Sequence, residues 1–224
     1  MSRIFVHTNT PTFDEMTTKT IKGLRWYQTP EGKLYPSITS VLGAKEKPHL
    51  EAWRQMLGAP AAQKETDRCA ARGTAVHLMA EKYLNNEPNP TEGQPNEYVK
   101  QFNQIRYGLN RINNIRIQEV PLYSDEFKVA GRVDCIGEFD GTLSVIDFKT
   151  SNNNKTTEMI EDYFLQESFY GLAYYELFGE EINQIVTIMC VERGAVPLVF
   201  KKQITPYIVP LKKRVNEFYV KHVN

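Results

Sequence analysis

The stretch Gly131–Ser151, GRVDCIGEFDGTLSVIDFKTS, decides how the rest of the chain is read. Two runs rich in β-branched and apolar residues flank Asp140-Gly141, a dipeptide suited to the positive φ angles of a two-residue hairpin turn. With that turn Phe139 faces Thr142, and counting back along both strands brings Asp134 opposite Asp147 and Arg132 opposite Lys149 on one face. Val133 with Phe148, and Cys135 with Ile146, then share the other face, which suits a buried core. Directly opposed residues hold their Cβ atoms ~4.5–5.5 Å apart, so two facing carboxylates repel unless they share a proton or bind a cation. Lys149 lies two residues beyond Asp147 and returns to the same side of the strand. Two acids and a lysine converging at a strand end suit phosphodiester hydrolysis. Oxygen ligands hold Mg²⁺ or Mn²⁺, a water is acidified, and an ammonium meets charge on the phosphate. The same residues also make an ordinary surface ladder of mutually neutralising charges, and this spacing alone leaves both readings open.

Outward from the hairpin, periodicity assigns the elements. Ile117–Tyr123, Lys128–Phe139 and Thr142–Thr150 read as strands, Glu158–Phe178 as a helix, Gln184–Glu192 and Leu198–Ile204 as two more strands, and Pro210–Val220 as a closing helix. Upstream, Leu24–Tyr27 and Lys33–Tyr35 are strand-like, and Pro36–Leu42 starts a short helix capped by Ser37. Glu46–Leu57, Ala62–Leu84 and Glu97–Asn113 carry helical stripes, with Gly58 and Pro60 as a break and Gly73 as a weak point in the long one. The order predicts an α/β fold with a central mixed sheet flanked by helices. It forms a single domain over 1–224, residues 1–115 mainly helical and residues 116–224 holding the sheet with its flanking helices.

Composition excludes several classes. At 224 residues the chain fills one sizeable core, and 41% hydrophobic with 24% charged residues is ordinary for a globular protein. Twenty-seven basic and 27 acidic side chains cancel, so the chain is no general polyanion coat, and any basic track is a local patch. Cys69, Cys135 and Cys190 lie far apart, with no zinc or iron–sulfur spacing, which suits free thiols in a reducing compartment. No run of 18 apolar residues offers a membrane span, and the N-terminus lacks the layout of a secretory signal, so a cytoplasmic protein is expected. There is no phosphate-binding loop of the G-x-x-x-x-G-K-[ST] type and hence no nucleotide cofactor is expected.

Single residues add to the hairpin. His77, in RGTAVH, is by itself an ordinary helical histidine, but beside two carboxylates an imidazole is a plausible metal ligand, with Glu81 one turn on to orient it. Glu119, in IQEVPLY, is an acid among apolar neighbours, either at a rim or a third acid near the metals. Gln166 and Tyr170 are four apart and share a helix face, while Tyr170 equally fits an aromatic core stripe with Phe164, Phe169 and Tyr174. Lys201-Lys202 and Lys212-Lys213-Arg214 read as solvated faces, and Trp26 and Trp53 as core.

Taken in order, RGTAVH, QEVPLY, the D-x-K hairpin and QESFY resemble the RecB-like branch of the PD-(D/E)XK nuclease superfamily. YPSITSVLGAKEKPHLEAWR ahead of RGTAVH resembles more specifically the mitochondrial genome maintenance exonucleases and their phage relatives. The resemblance spans roughly residues 35–180 and implies a restriction-endonuclease-like core cleaving DNA with one or two Mg²⁺ or Mn²⁺ ions. By carry-over, His77, Asp134 and Asp147 bind metal with the backbone carbonyl of Phe148, and Lys149 is the catalytic lysine. Glu119 is a catalytic acid, and Gln166 and Tyr170 are accessory residues that meet DNA. Arg72 is expected to meet a phosphate as a DNA end passes the helical N-terminal half. Val133-Asp134 replaces the Pro-Asp that named the superfamily, and no cysteine cluster is present for an iron–sulfur centre. The resemblance favours an exonuclease on single-stranded DNA ends, of phage or bacterial type, serving replication or recombination partners. A structure-specific endonuclease and a catalytically inert DNA-binding recombination scaffold are the alternatives.

Overall fold

The computed structural model describes residues 3–8, 15–45 and 48–223. Three short strands, β1 (Thr17–Ile21), β2 (Leu24–Gln28) and β3 (Leu34–Pro36), form an antiparallel sheet, the last two on the runs read as strand-like. Four helices follow: α1 (Ile38–Gly43), α2 (Pro48–Leu57), α3 (Ala59–Leu84) and α4 (Asn96–Leu109). The remainder is β4 (Ile112–Ser124), β5 (Val129–Phe139), β6 (Thr142–Ser151), α5 (Glu161–Phe178), β7 (Gln184–Val191), β8 (Leu198–Gln203) and α6 (Thr205–His222).

Local chemistry accounts for most boundaries. Ser37 caps α1, its Oγ accepting from the Ser40 N–H at 3.0 Å. Gly58, at φ 79°, separates α2 from α3, and α3 then runs unbroken through Gly73 for 26 residues. Glu46 and Lys47, the expected start of α2, lie outside the described residues. Two boundaries differ from expectation. The α4 helix stops at Leu109 and β4 begins at Ile112, because the apolar Ile112 and Ile115 are drawn into the sheet core. The closing helix starts five residues before Pro210, with a proline in its first turn, where the missing N–H has no helical partner to lose.

The central sheet has the order β4-β5-β6-β7-β8, antiparallel except for the parallel pair β6–β7 that α5 connects. One core, between the sheet and α1, α5 and α6, gathers Ile38, Val133, Ile136, Phe169 and Leu211. The other, against α3 and α4, gathers Val76, Phe102, Cys135, Ile146 and Phe148. This is the mixed α/β architecture expected of the chain. Among the described residues no helix is long and apolar enough to cross a membrane.

Candidate active site

The hairpin forms as its turn chemistry demands: Asp140 and Gly141 both take positive φ, 52° and 79°, and Phe139 pairs with Thr142. The register continues to Cys135–Ile146 and stops there. One step further, where Asp134 was expected to face Asp147 as a regular rung, the strands part. Alternation along β5 also breaks at this point, since Val133 and Ile136 pack on the α5 side while Cys135 packs on the α3–α4 side. Val133 and Phe148 therefore belong to different cores, contrary to the regular hairpin geometry. Arg132 does not face Lys149 either. It pairs with Pro121 of β4, and its guanidinium donates to the Glu119 carbonyl and to Glu15 Oε2.

The fork between β5 and β6 is where the polar groups gather. Asp134 Oδ2 accepts the Phe148 N–H at 2.8 Å, taking the place of a main-chain rung, and lies 3.4 Å from His77 Nδ1 on α3. The His77 ring meets the Phe148 ring edge-on at 6.1 Å. Glu119 comes in from β4 with φ 51°, a left-handed backbone rare for a non-glycine residue in a strand. That twist takes Glu119 out of the ladder opposite Asp134, and Arg132 satisfies its carbonyl. One ligand atom from each of His77, Glu119 and Asp134 lies within 4.8 Å of the others. Burial, and then the Asp134 charge, push the Glu119 carboxyl up to about 7.

Asp147 lies beside this trio, 1% exposed, on the side facing α5. Lys149 Nζ is 2.5 Å from Asp147 Oδ2, a contact close enough for an ion pair although its angles miss those of a hydrogen bond. Gln166 spans the pair with long contacts, its Oε1 accepting from Lys149 Nζ at 3.4 Å and its Nε2 donating to Asp147 Oδ1 at 3.5 Å. The same amide donates to Tyr170 Oη at 3.3 Å, so the four-residue spacing on α5 brings both side chains to the site. Burial raises Asp147 above the usual carboxylate range, more than the Lys149 ammonium lowers it. Burial depresses Lys149, but Asp147 and Asp134 outweigh it and the net shift is upward.

Of the nine predicted residues, eight surround the fork: His77, Glu119, Asp134, Asp147, Phe148, Lys149, Gln166 and Tyr170. Arg72 has a different setting from the open one a phosphate contact needs. It is 2% exposed, and its Nη1 donates to Asn152 Oδ1 and Glu192 Oε2, each at 2.7 Å. Glu81 makes no hydrogen bond with His77 among the described residues, but its charge adds to the upward push on Glu119. Sequence reasoning missed Tyr163, whose ring lies 4.9 Å under Lys149 Nζ, and Glu167, fully buried and accepting from Thr187 Oγ1 at 2.5 Å. Thr187 stands beside Asp147 in the parallel ladder. The only local signal for Glu167 was its place next to Gln166, and burial of a carboxyl is not visible in sequence.

The donor set fits a divalent cation: an imidazole and two carboxylates within reach of one point, a third carboxylate adjacent, and one ammonium against three acids. The surplus of negative charge at a half-buried place calls for a cation.

A family model described as the PD-(D/E)XK nuclease superfamily matches residues 52–190. The chain is 28% identical over 128 residues to mitochondrial genome maintenance exonuclease 1 of Mus musculus, covering 54% of this chain and 38% of the mouse protein. It is 25% identical over 179 residues to the Homo sapiens protein of the same name, covering 74% of this chain and 49% of that one. The chain thus spans half or less of the length of these curated relatives. A crystal structure of a candidate exonuclease from Eubacterium rectale superposes with TM-score 0.44 and 12% identity over 70% of this chain and 69% of that one.

Proposed function

The chain belongs to the PD-(D/E)XK nuclease superfamily, and from that premise we propose that it is a metal-dependent DNA exonuclease acting on single-stranded ends. The observation that carries the reading is the convergence of His77, Glu119 and Asp134 from three separate elements on one point, with the Asp147–Lys149 pair beside it. His77, Glu119 and Asp134 would hold Mg²⁺ or Mn²⁺, and Asp147 would add a fourth side chain through Oδ1, which meets only the long contact with Gln166. The ion supplies Lewis-acid polarisation of the phosphate and a lower pKa for water.

The chain's own residues do the rest. Lys149, which its acidic neighbours favour in the charged form, would set its ammonium against charge on the scissile phosphate. Asp147 and Gln166 hold that ammonium in place, and Tyr163 packs beneath it. Tyr170, buried against Gln166, fixes the amide's orientation. Phe148 holds Asp134 through its N–H and screens one side of His77 with its ring.

Exonuclease action, as in the names of the mammalian relatives, is tested with end-labelled linear single-stranded DNA, circular single-stranded DNA and linear duplex in the presence of Mg²⁺ or Mn²⁺. The expected result is short products from the linear single strand, with the circle intact. Digestion of the circle would replace the reading with an endonuclease. DNA binding without digestion of any form, together with no specific Mn²⁺ uptake by calorimetry, would replace it with an inert scaffold.

A further inference from the structure

Next to the fork lies a groove of about 1020 Å³ between α2, α3, the segment that follows β6, and Arg193 beyond β7. It begins where the catalytic strand ends: Thr150 and Tyr163 line it, and Tyr163 is the ring beneath Lys149. Its far wall is Trp53 of α2, half-buried, with Leu50 and Leu57 exposed on the same helix. A tryptophan expected in the core thus stands at the rim of a cleft.

The charge of this groove departs from that of the whole chain. Arg68, Arg72, Lys155 and Arg193 line it against Glu65 alone. Glu192, just outside, pairs with both Arg68 and Arg72, which leaves two uncompensated positive charges in a protein whose formal charge is zero. Those two are Lys155 and Arg193. Neither has a carboxylate partner among the described residues, and the Arg193 guanidinium makes only a 3.5 Å contact with Asn153 Oδ1 among them. Arg72 Nε–H, in the same wall, is buried and has no partner, an unused donor.

We propose that this groove is the binding track for a single strand of DNA, with nucleobases stacked on Trp53 and its backbone phosphates met by Lys155 and Arg193. This rests on the nuclease reading of the adjacent fork and says where the strand lies beyond the bond that is cut. A single strand is the occupant because aromatic faces accept only bases freed from a duplex, while the positive pair follows a phosphate backbone of any sequence.

The test is equilibrium binding of fluorescein-labelled oligothymidylate, about 12 nucleotides long, to the full chain in EDTA, where digestion cannot interfere. Trp53→Ala is expected to weaken binding about tenfold or more, Trp53→Phe to retain most of it, and the bound strand to quench tryptophan emission in the unmodified chain. Lys155→Ala with Arg193→Ala changes two groove-wall cations and is expected to flatten the slope of log K against log salt by about 1.4. Unchanged binding in Trp53→Ala, an unchanged salt slope in the double variant, or equal affinity for a blunt duplex of the same length would each overturn the proposal. The two readings fail separately. Digestion by the unmodified chain with Trp53-independent binding sinks the groove alone, whereas groove-dependent binding without digestion in Mg²⁺ or Mn²⁺ supports the groove and sinks the nuclease.

Discussion

At the scale of single residues, the fork is a place where charge is held against its preference. Asp147→Asn and Lys149→Ala each remove one side of the buried pair, and digestion of linear DNA is expected to fall at least about a hundredfold in either, measured at saturating Mn²⁺. Glu119 gives a pH signature. Its carboxyl is raised to about 7 in the folded chain, so the folded state binds more protons than the unfolded state between the ordinary value of 4.5 and 7. The share of metal-free stability that Glu119 supplies is therefore fully present below pH 4.5 and is lost as pH rises through 7. Because Glu119 is partly exposed, the loss is about 1 kcal/mol, or about 2–4 °C in Tm. Melting curves between pH 5 and pH 8 should show it in the original chain and show a smaller decline in Glu119→Gln, where the raised Asp147 carboxyl still contributes, and added Mn²⁺ should reverse it above pH 7. Asp147 and Lys149 were legible because turn chemistry and a period of two carry them along β6, whereas Asp134 reaches the fork through a break in that alternation. Neither the burial of Arg72 nor the pairing of Arg132 was, since their partners lie far along the chain at Glu192 and Glu15.

Among elements, β5 does most to place the site. It pairs with β4 from Val129 to Phe139 but with β6 only from Cys135 to Phe139, and just ahead of that point it turns Asp134 toward α3. Gly131, nearby on β5, lies so close to α1 and α5 that a Cβ there would come within 2.9 Å of Ile38 Cγ2 and of Tyr170 Cε1 and Oη. Gly131→Ala should cost about 1–3 kcal/mol, read as a fall in Tm, and by displacing Tyr170 and then Gln166 should lower kcat as well. An unchanged kcat in a folded variant would show that Tyr170 does not position Gln166. Helix boundaries at α1 and α2–α3 were readable from Ser37 and Gly58, which act locally. The end of α4 was misread because Ile112 suits either a helix stripe or a strand, and only the neighbouring sheet decides.

Across the whole molecule, α3 is fastened to the ends of the two parallel strands at the centre of the sheet. Arg68 bridges Glu65 and Glu192, and Arg72 reaches Glu192 and Asn152 from a buried position, fastening the long helix to the ends of β6 and β7. Glu192→Ala would leave the Arg72 guanidinium short of its only carboxylate partner among the described residues. The expected cost is about 2 kcal/mol, below that of a fully enclosed pair because Glu192 remains partly solvated. Denaturant unfolding should report it, with Arg72→Met in the same background recovering part of the loss. None of this network was visible in the linear chain, whose balanced charge pointed only to local patches.

The left-handed backbone at Glu119 carries one more consequence. A side chain with a Cβ sits there at a steric cost that glycine escapes, and the position holds glutamate all the same. Glu119→Gly should then yield a chain that tolerates heat better without metal than its parent and yet digests nothing. Endurance and chemistry would be traded against each other at one bend of the main chain.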